Sequence, residues 1–91
     1  MRQNRFYWLL VAKLADELGY ISKDSCHAML MEECGYGEPM EFRGKTYFIR
    51  KSSTRLSREE FAALINKCYE IEAFINEGKE PEKHLVLPRL A

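Results

Sequence analysis

Residues 40–51, MEFRGKTYFIRK, decide the fold class, because their pattern predicts a β-hairpin in a chain that otherwise has helical periodicity. Residues 40–42 and 45–50 form the two predicted strands, and Arg43-Gly44 forms the turn between them. The sequence therefore predicts a mixed fold rather than a bundle of helices alone.

Alternation divides the second predicted strand into two faces. Tyr47 and Ile49 share one face, whereas Thr46, Phe48 and Arg50 share the other. A two-stranded hairpin by itself is marginally stable in water. We therefore expect the hairpin to lie on helices or to pair with another strand.

Apolar residues at helical spacing predict helices over residues 3–18, 23–34 and 58–77. Together with the hairpin they give the order α-α-β-β-α, which is an α+β fold. Residues 1–78 form one predicted small domain. Residues 79–91 form an extended C-terminal tail that is predicted to dock over part of its length.

The first predicted helix has an apolar face that is wider than one stripe. The expected core stripe consists of Phe6, Leu9, Leu10, Leu14 and Leu18. Tyr7, Trp8 and Val11 extend it, which suggests contacts on two sides, with a second chain as one candidate for such a contact. We expect Phe6 and Trp8 in the core, and Tyr7 stays open as a ring on which a nucleic-acid base could stack.

Composition indicates a folded domain with no membrane span. The hydrophobic fraction is 46%, and no run approaches the roughly 20 apolar residues that cross a bilayer. No apolar core of a signal peptide follows the N-terminus. The three cysteines, an odd number without a CxxC pair, predict reduced structural thiols and a cytoplasmic protein, with no metal site.

The net charge is zero, but it is the sum of alternating blocks. Residues 1–13 contain three cations and no acid, and residues 43–58 contain six cations and no acid. Residues 14–42 and residues 59–82 each contain seven acids. Because a phosphate backbone responds to local charge, the neutral total does not exclude nucleic acid.

The stretch KSSTRLSREEF, residues 51–61, combines a helix start with a possible phosphate site. Ser57 and Glu60 have the spacing of a capping box, and Leu56 and Phe61 that of a hydrophobic staple. The cations and hydroxyls before the cap need another explanation, and phosphate binding competes with an ordinary polar connection.

The polar start of the first helix is a second candidate, because its cations and amides precede three aromatic residues. The predicted nucleic-acid-binding residues are Arg2, Gln3, Asn4, Arg5, Arg43, Lys45, Arg50, Lys51, Ser52, Ser53, Thr54 and Arg55.

No catalytic arrangement or cofactor motif is visible, so we expect no enzyme activity and no cofactor. His27 and His84 are the two histidines, and neither has a partner at a spacing that specifies a mechanism. Cys26 and His27 are consecutive in a helix, where side chains point about 100° apart.

Four stretches, in order, resemble the phage recombination proteins of the NinB (Orf) type. RQNRFYW is similar to the motif S-x-x-Q-N-R-x-x-W that opens the shared region, and LADELGY followed by KDSCHAML keeps the family's order. GKTYFIRKSSTRLSREEFAALI resembles the strand, Ser/Thr-rich connection and L-S-x-x-E-F helix of that family. HLVLP resembles its short ending. The resemblance covers nearly the whole chain, through short motifs.

The resemblance implies an accessory DNA-recombination protein that binds single-stranded DNA, acts as a homodimer, and loads a recombinase or displaces a single-strand-binding protein. It also implies a short version of the family, without the β-rich segment that precedes the Q-N-R motif in fuller members. The positions that match the family's motifs are Gln3, Asn4, Arg5, Trp8, Lys51, Ser52, Ser53, Thr54 and Leu56.

Two other functions stay open. The neutral charge, small size and wide apolar first helix also suit a phage protein that binds a host protein, for example an inhibitor of a nuclease or defence complex. A nuclease would need a carboxylate or histidine cluster for Mg²⁺, and no such cluster has a recognisable spacing.

Overall fold

Three helices and one antiparallel hairpin follow one another in the order α-α-β-β-α, so the predicted α+β fold class is confirmed. The computed structural model describes residues 2–51 and 55–89, except for the side chain of Arg2. The elements are α1 (Arg2–Leu18), α2 (Lys23–Glu33), β1 (Gly37–Phe42), β2 (Lys45–Arg50), α3 (Arg58–Asn76) and a short 3₁₀ turn (Pro81–Lys83).

Side chains cap the starts of α2 and α3, and the cap of α3 is the one that the sequence predicts. The Ser22 hydroxyl accepts a hydrogen bond from the Ser25 amide at 3.2 Å and caps α2. Ser57 and Glu60 form the complete capping box of α3, with the Glu60 amide donating to Ser57 Oγ and the Ser57 amide donating to Glu60 Oε1. These local hydrogen bonds fix where both helices begin.

The core lies between the three helices, and α1 contacts both α2 and α3. The two-sided contact predicted for α1 is therefore made within one chain. The buried apolar residues are Tyr7, Leu10, Val11, Leu14, Ala15, Cys26, Leu30, Met31, Leu64, Ile65, Cys68 and Leu87. No described helix is both long enough and apolar enough to cross a membrane.

The buried face of α1 differs from the predicted stripe. Leu9 and Leu18 are 47% and 42% exposed, whereas Tyr7 and Val11 are fully buried. The helix is thus rotated so that Tyr7 faces the core. The open alternative, that a nucleic-acid base stacks on the Tyr7 ring, is excluded because the ring is fully buried. The reason is a hydrogen bond, since Tyr7 Oη lies 2.6 Å from Nδ1 of the buried His27 on α2.

Aromatic rings from α1 and α3 surround this hydrogen bond. The Tyr7 ring meets the rings of Trp8 and Phe61 edge to face, with centroids 5.6 and 5.8 Å apart. The Trp8 ring also lies 4.8 Å from the imidazole of His27. Edge-to-face pairs at these distances stabilise a core beyond their buried area, by about 0.5–1.5 kcal/mol each.

The first strand begins at Gly37, three residues before the predicted start at residue 40. Pro39 fits the strand because it pairs with Phe48, three positions before the strand ends. A two-residue loop makes the closing Phe42–Lys45 pair hydrogen-bonded, and alternation then puts Pro39 in a non-hydrogen-bonded pair. At such a position the backbone N–H would point away from β2, so proline, which has no N–H, costs no hydrogen bond between the strands.

Arg43 and Gly44 form the predicted hairpin turn. Their φ values of 52° and 77° are both positive, as a type I′ turn requires. Glycine adopts this conformation freely, whereas arginine is held there at a cost of about 1 kcal/mol.

The cysteines are free thiols, as the sequence predicts. Cys26 and Cys68 are buried, and burial raises their pKa values to about 11 and about 12. Both thiols are therefore protonated at neutral pH and act as small apolar groups.

The C-terminal tail crosses back over α3 and contributes to the core through Leu87. Asn76 binds both backbone groups of Leu85, with its Nδ2 2.8 Å from the carbonyl oxygen and its Oδ1 2.7 Å from the amide nitrogen. Glu72 accepts the Leu87 amide and forms a 2.6 Å ion pair with Arg89, whose guanidinium lies 3.9 Å from the Tyr69 ring centroid.

Burial of Glu72 would raise the pKa of this carboxyl, but the hydrogen bonds from Arg89 and the Leu87 amide hold it below its usual range. The tail thus supplies the donors that allow Glu72 to be buried.

We expect the Tyr7→Phe substitution to destabilise the fold by about 1–3 kcal/mol, because it leaves a buried polar atom of His27 without its partner. The free energy of unfolding from urea denaturation measures the loss. Tyr20→Phe is the matched control, since Tyr20 is exposed and is expected to change stability by less than about 0.5 kcal/mol. Equal effects of the two substitutions would contradict the structural role of this hydrogen bond.

Stability is also expected to depend on the ionisation of His27. Burial lowers the pKa of His27 below its ordinary value of 6.5, and the nearby Arg50 lowers it further. Below pH 6.5 the unfolded chain takes up this proton more readily than the folded protein, so the free energy of unfolding falls as the pH drops. Denaturation at pH values from about 7.5 to 5 tests this, with His27→Gln expected to flatten the dependence. His84→Gln, at the exposed histidine, is the control.

Candidate nucleic-acid interface

The two basic blocks of the sequence meet at the N-terminal ends of α1 and α3. Gln3 Nε2 donates a hydrogen bond to the carbonyl oxygen of Arg58 at 3.1 Å, which holds the first turn of α1 against the first turn of α3. Asn4 and Arg5 are exposed next to this contact. Gln3, one of the predicted contact residues, thus has a structural role in joining the blocks.

Arg50 is the last residue of β2, Arg55 lies between the hairpin and α3, and both are exposed. Neither forms a salt bridge within residues 2–51 and 55–89. Their charge is therefore available to an external anion. The predicted contacts Ser52, Ser53 and Thr54, and the side chain of Arg2, lie outside the described residues.

Lys51 already has an anionic partner, unlike its basic neighbours. Its Nζ lies 3.0 Å from Oε2 and 3.2 Å from Oε1 of Glu60. The Ser57 amide and the Lys51 ammonium group hold the pKa of Glu60 below its usual range. Lys51 therefore supports the start of α3, and much of its charge is neutralised locally.

The hairpin combines cations with exposed aromatic rings. Phe42 and Tyr47 are 56% and 46% exposed, and the register places both on the same face, with Lys45 directly opposite Phe42. The Arg43 guanidinium carbon lies 5.3 Å from the centre of the Phe42 ring. Rings with adjacent cations are the groups on which single-stranded nucleic acids commonly stack.

Sequence reasoning identified Arg43 and Lys45 but not these rings. Alternation showed that Tyr47 lies with Ile49, yet it could not show which face the helices would cover. The hairpin contacts the helices through β2 and α2, with Phe48 half-buried, while the face with Met40, Phe42 and Tyr47 stays exposed. One signal in the sequence could have indicated an exposed ring: both faces of the hairpin carry aromatic residues. A single helical layer can cover only one face of a two-stranded hairpin, so the aromatic residues on the other face stay exposed.

No metal centre is formed by the described residues, because no three His, Cys, Asp or Glu side chains are grouped suitably. His27, one of the two histidines of the chain, is bound to Tyr7 in the core. Comparison with family models, with curated proteins and with solved structures gives no match for this chain.

Substitutions in the cap of α3 are expected to lower the free energy of unfolding, whereas substitution of the cation Arg55 before the cap is not. Ser57→Ala removes the acceptor of the Glu60 amide and should lower the free energy of unfolding by about 1 kcal/mol. Arg55→Ala lies outside the cap and should change stability by less than about 0.5 kcal/mol. Urea denaturation compares the two, and a loss in Arg55→Ala as large as that in Ser57→Ala would show that Arg55 supports the fold.

Proposed function

We propose that this chain is an accessory DNA-recombination protein of the phage or prophage type, which binds single-stranded or branched DNA without catalysis. The observation that carries the proposal is the exposed hairpin face, where the rings of Phe42 and Tyr47 lie beside Arg43 and Lys45. The recombination role rests on the resemblance to the NinB (Orf) proteins. By the same resemblance it acts as a homodimer in the cytoplasm of a bacterial host.

Three features support DNA as the ligand. Stacking of a base on an exposed ring contributes about 1–3 kcal/mol, and it requires unpaired bases. The Gln3–Arg58 hydrogen bond brings the cations at the start of α1 next to those before α3. Arg43 occupies a turn position where asparagine or glycine is preferred, so the hairpin carries a cation at its tip at some cost in stability.

The alternative is binding to a host or phage protein that acts in recombination or defence. Apolar exposure away from the cations favours it, because Ile21 is fully exposed and Phe74 and Val86 are more than three-quarters exposed. A protein interface with an apolar anchor would depend little on salt, whereas DNA binding weakens steeply as salt rises.

Fluorescence anisotropy with a labelled single strand of about 30 nucleotides, at about 50 and 200 mM salt, tests the proposal. Arg43→Asn/Lys45→Thr should reduce the slope of log affinity against log salt by about 1.4, if each cation contacts one phosphate. Asparagine suits the type I′ turn, so the hairpin is retained. Phe42→Thr/Tyr47→Thr should weaken binding at both salt concentrations by about 1–3 kcal/mol for each stacked base.

Lys23→Gln/Lys83→Gln is the charge-matched control, since it removes two exposed cations from α2 and the 3₁₀ turn instead of the hairpin. A duplex of the same length measures the preference for unpaired bases. Wild-type affinity in both hairpin variants would refute the assignment of the interface. No binding at about 50 mM salt would refute DNA binding and favour the protein-binding alternative.

A further inference from the structure

The two outer edges of the hairpin differ in whether a further strand can pair with them. Residues in non-hydrogen-bonded pairs point their backbone N–H and C=O groups away from the partner strand. The register gives this orientation to Gly37, Pro39 and Glu41 on β1, and to Thr46, Phe48 and Arg50 on β2. Proline has no N–H, so Pro39 removes the central donor of the β1 edge. Glu41 adds a charge there, and the β1 edge is thus protected against pairing.

The β2 edge has no comparable protection, because all three of its outward N–H groups are present. Within residues 2–51 and 55–89 no turn, loop or side-chain hydrogen bond reaches the backbone of Thr46, Phe48 or Arg50. Thr46 and Arg50 are exposed, as are Tyr47 and Ile49 between them. An open edge of this kind is a template on which another chain can add a strand.

The β2 edge is complementary to a second copy of itself. Antiparallel pairing about a twofold axis at Phe48 places Phe48 opposite its own copy, and Thr46 opposite Arg50 of the second copy. The three outward residues of each copy then exchange backbone hydrogen bonds, about six in total. Moving the axis to Tyr47 or Ile49 leaves only about four of these bonds, so the axis at Phe48 gives the longest ladder.

The apolar side chains of the exposed face also match in this register. Tyr47 lies directly opposite Ile49 of the second copy, and the twofold axis makes this pair twice. Both side chains are nearly half exposed in one chain, at 46% and 49%. Pairs of an aromatic and a β-branched residue are among the combinations that stabilise neighbouring strands. Pairing therefore covers apolar surface that one chain leaves in water.

The charges of β2 do not oppose this pairing. Arg50 lies opposite a neutral side chain, that of Thr46, and not opposite another cation. Just beyond the strand Lys45 lies opposite Lys51 of the second copy, but Glu60 already neutralises Lys51 within its own chain.

We propose that two copies of this chain pair through the β2 edge, antiparallel about a twofold axis at Phe48, and form a four-stranded sheet in the order β1-β2-β2-β1. This inference rests on the proposed function for the homodimer and adds the surface through which the homodimer forms. The two outermost strands are then the β1 strands. Because Pro39 protects the edges of both, assembly stops at two copies and does not continue into a fibre.

The pairing also enlarges the candidate DNA surface. The twofold axis is perpendicular to the sheet, so the exposed faces of both hairpins lie on the same side. One continuous surface then contains, from both copies, Met40, Phe42, Tyr47 and Ile49. A single strand of DNA can stack on rings of both copies, which links the two binding events.

Sedimentation equilibrium at about 10 and 200 µM chain tests the pairing, with a mass close to twice the 10.7 kDa of one chain expected at the higher concentration. Thr46→Pro removes an outward donor but no hydrogen bond to β1, since Thr46 and Glu41 form a non-hydrogen-bonded pair. We expect it to raise the Kd of the dimer at least about tenfold. Glu41→Pro, the matched control, makes the same change in the same pair on the β1 edge and should leave this Kd unchanged.

Hydrogen exchange followed by NMR tests the pairing in the unsubstituted protein. In a single copy the outward amides of both strands face solvent, whereas pairing covers those of β2 alone. The amides of Thr46 and Phe48 should therefore exchange at least about tenfold more slowly than those of Gly37 and Glu41, and the difference should shrink on dilution. Equal exchange at the two edges would overturn the β2 pairing.

Failure of the pairing and failure of the proposed function give different results. A mass of one chain at about 200 µM overturns the pairing and leaves a strand of a different protein as the occupant of the edge. A dimer that Thr46→Pro and Glu41→Pro affect equally also overturns it, and in both cases binding of the single strand would still support the DNA proposal. A dimer that only Thr46→Pro weakens, but that binds no single strand at about 50 mM salt, supports the pairing and refutes DNA binding.

Discussion

The hydrogen bond between Tyr7 and His27 fixes how α1 is rotated about its axis, and the three-helix core depends on that rotation. A phenol and an imidazole that are both buried must satisfy each other, since leaving either unpaired in an apolar core costs free energy. The same geometry brings Phe61 of α3 against the Tyr7 ring. One polar contact between α1 and α2 therefore also determines how α3 joins them.

The elements of the fold could be predicted from the sequence because their signals are local. The Ser22 and Ser57 caps and the turn at Arg43-Gly44 depend on neighbouring residues only. The rotation of α1 was not predictable in this way, because it depends on a partner twenty residues away. The start of β1 was placed three residues too late, because Gly37 and Pro39 are residue types that favour turns although the pairing with β2 tolerates both.

The candidate site, like the fold, could be predicted only in its local features. The cations of the hairpin and of the segment before α3 were visible in the sequence, but their availability was not. Lys51 forms an ion pair with Glu60 in the cap of α3, whereas Arg50 makes no salt bridge within the described parts of the chain. The exposure of Phe42 and Tyr47 depends on which face of the hairpin the helices cover, and periodicity alone does not contain that information.

The weak attachment of the hairpin has a consequence for motion. The hairpin meets the helical layer mainly through β2 and α2, and one of its faces is largely solvated. The backbone hydrogen bonds of β1 and β2 can therefore open without disrupting the Tyr7–His27 core. We therefore expect the amide protons of the hairpin to exchange with solvent at a lower free energy than those in the core of α1. The segment that carries the exposed rings is thus the part of the molecule that can rearrange while the helices stay folded.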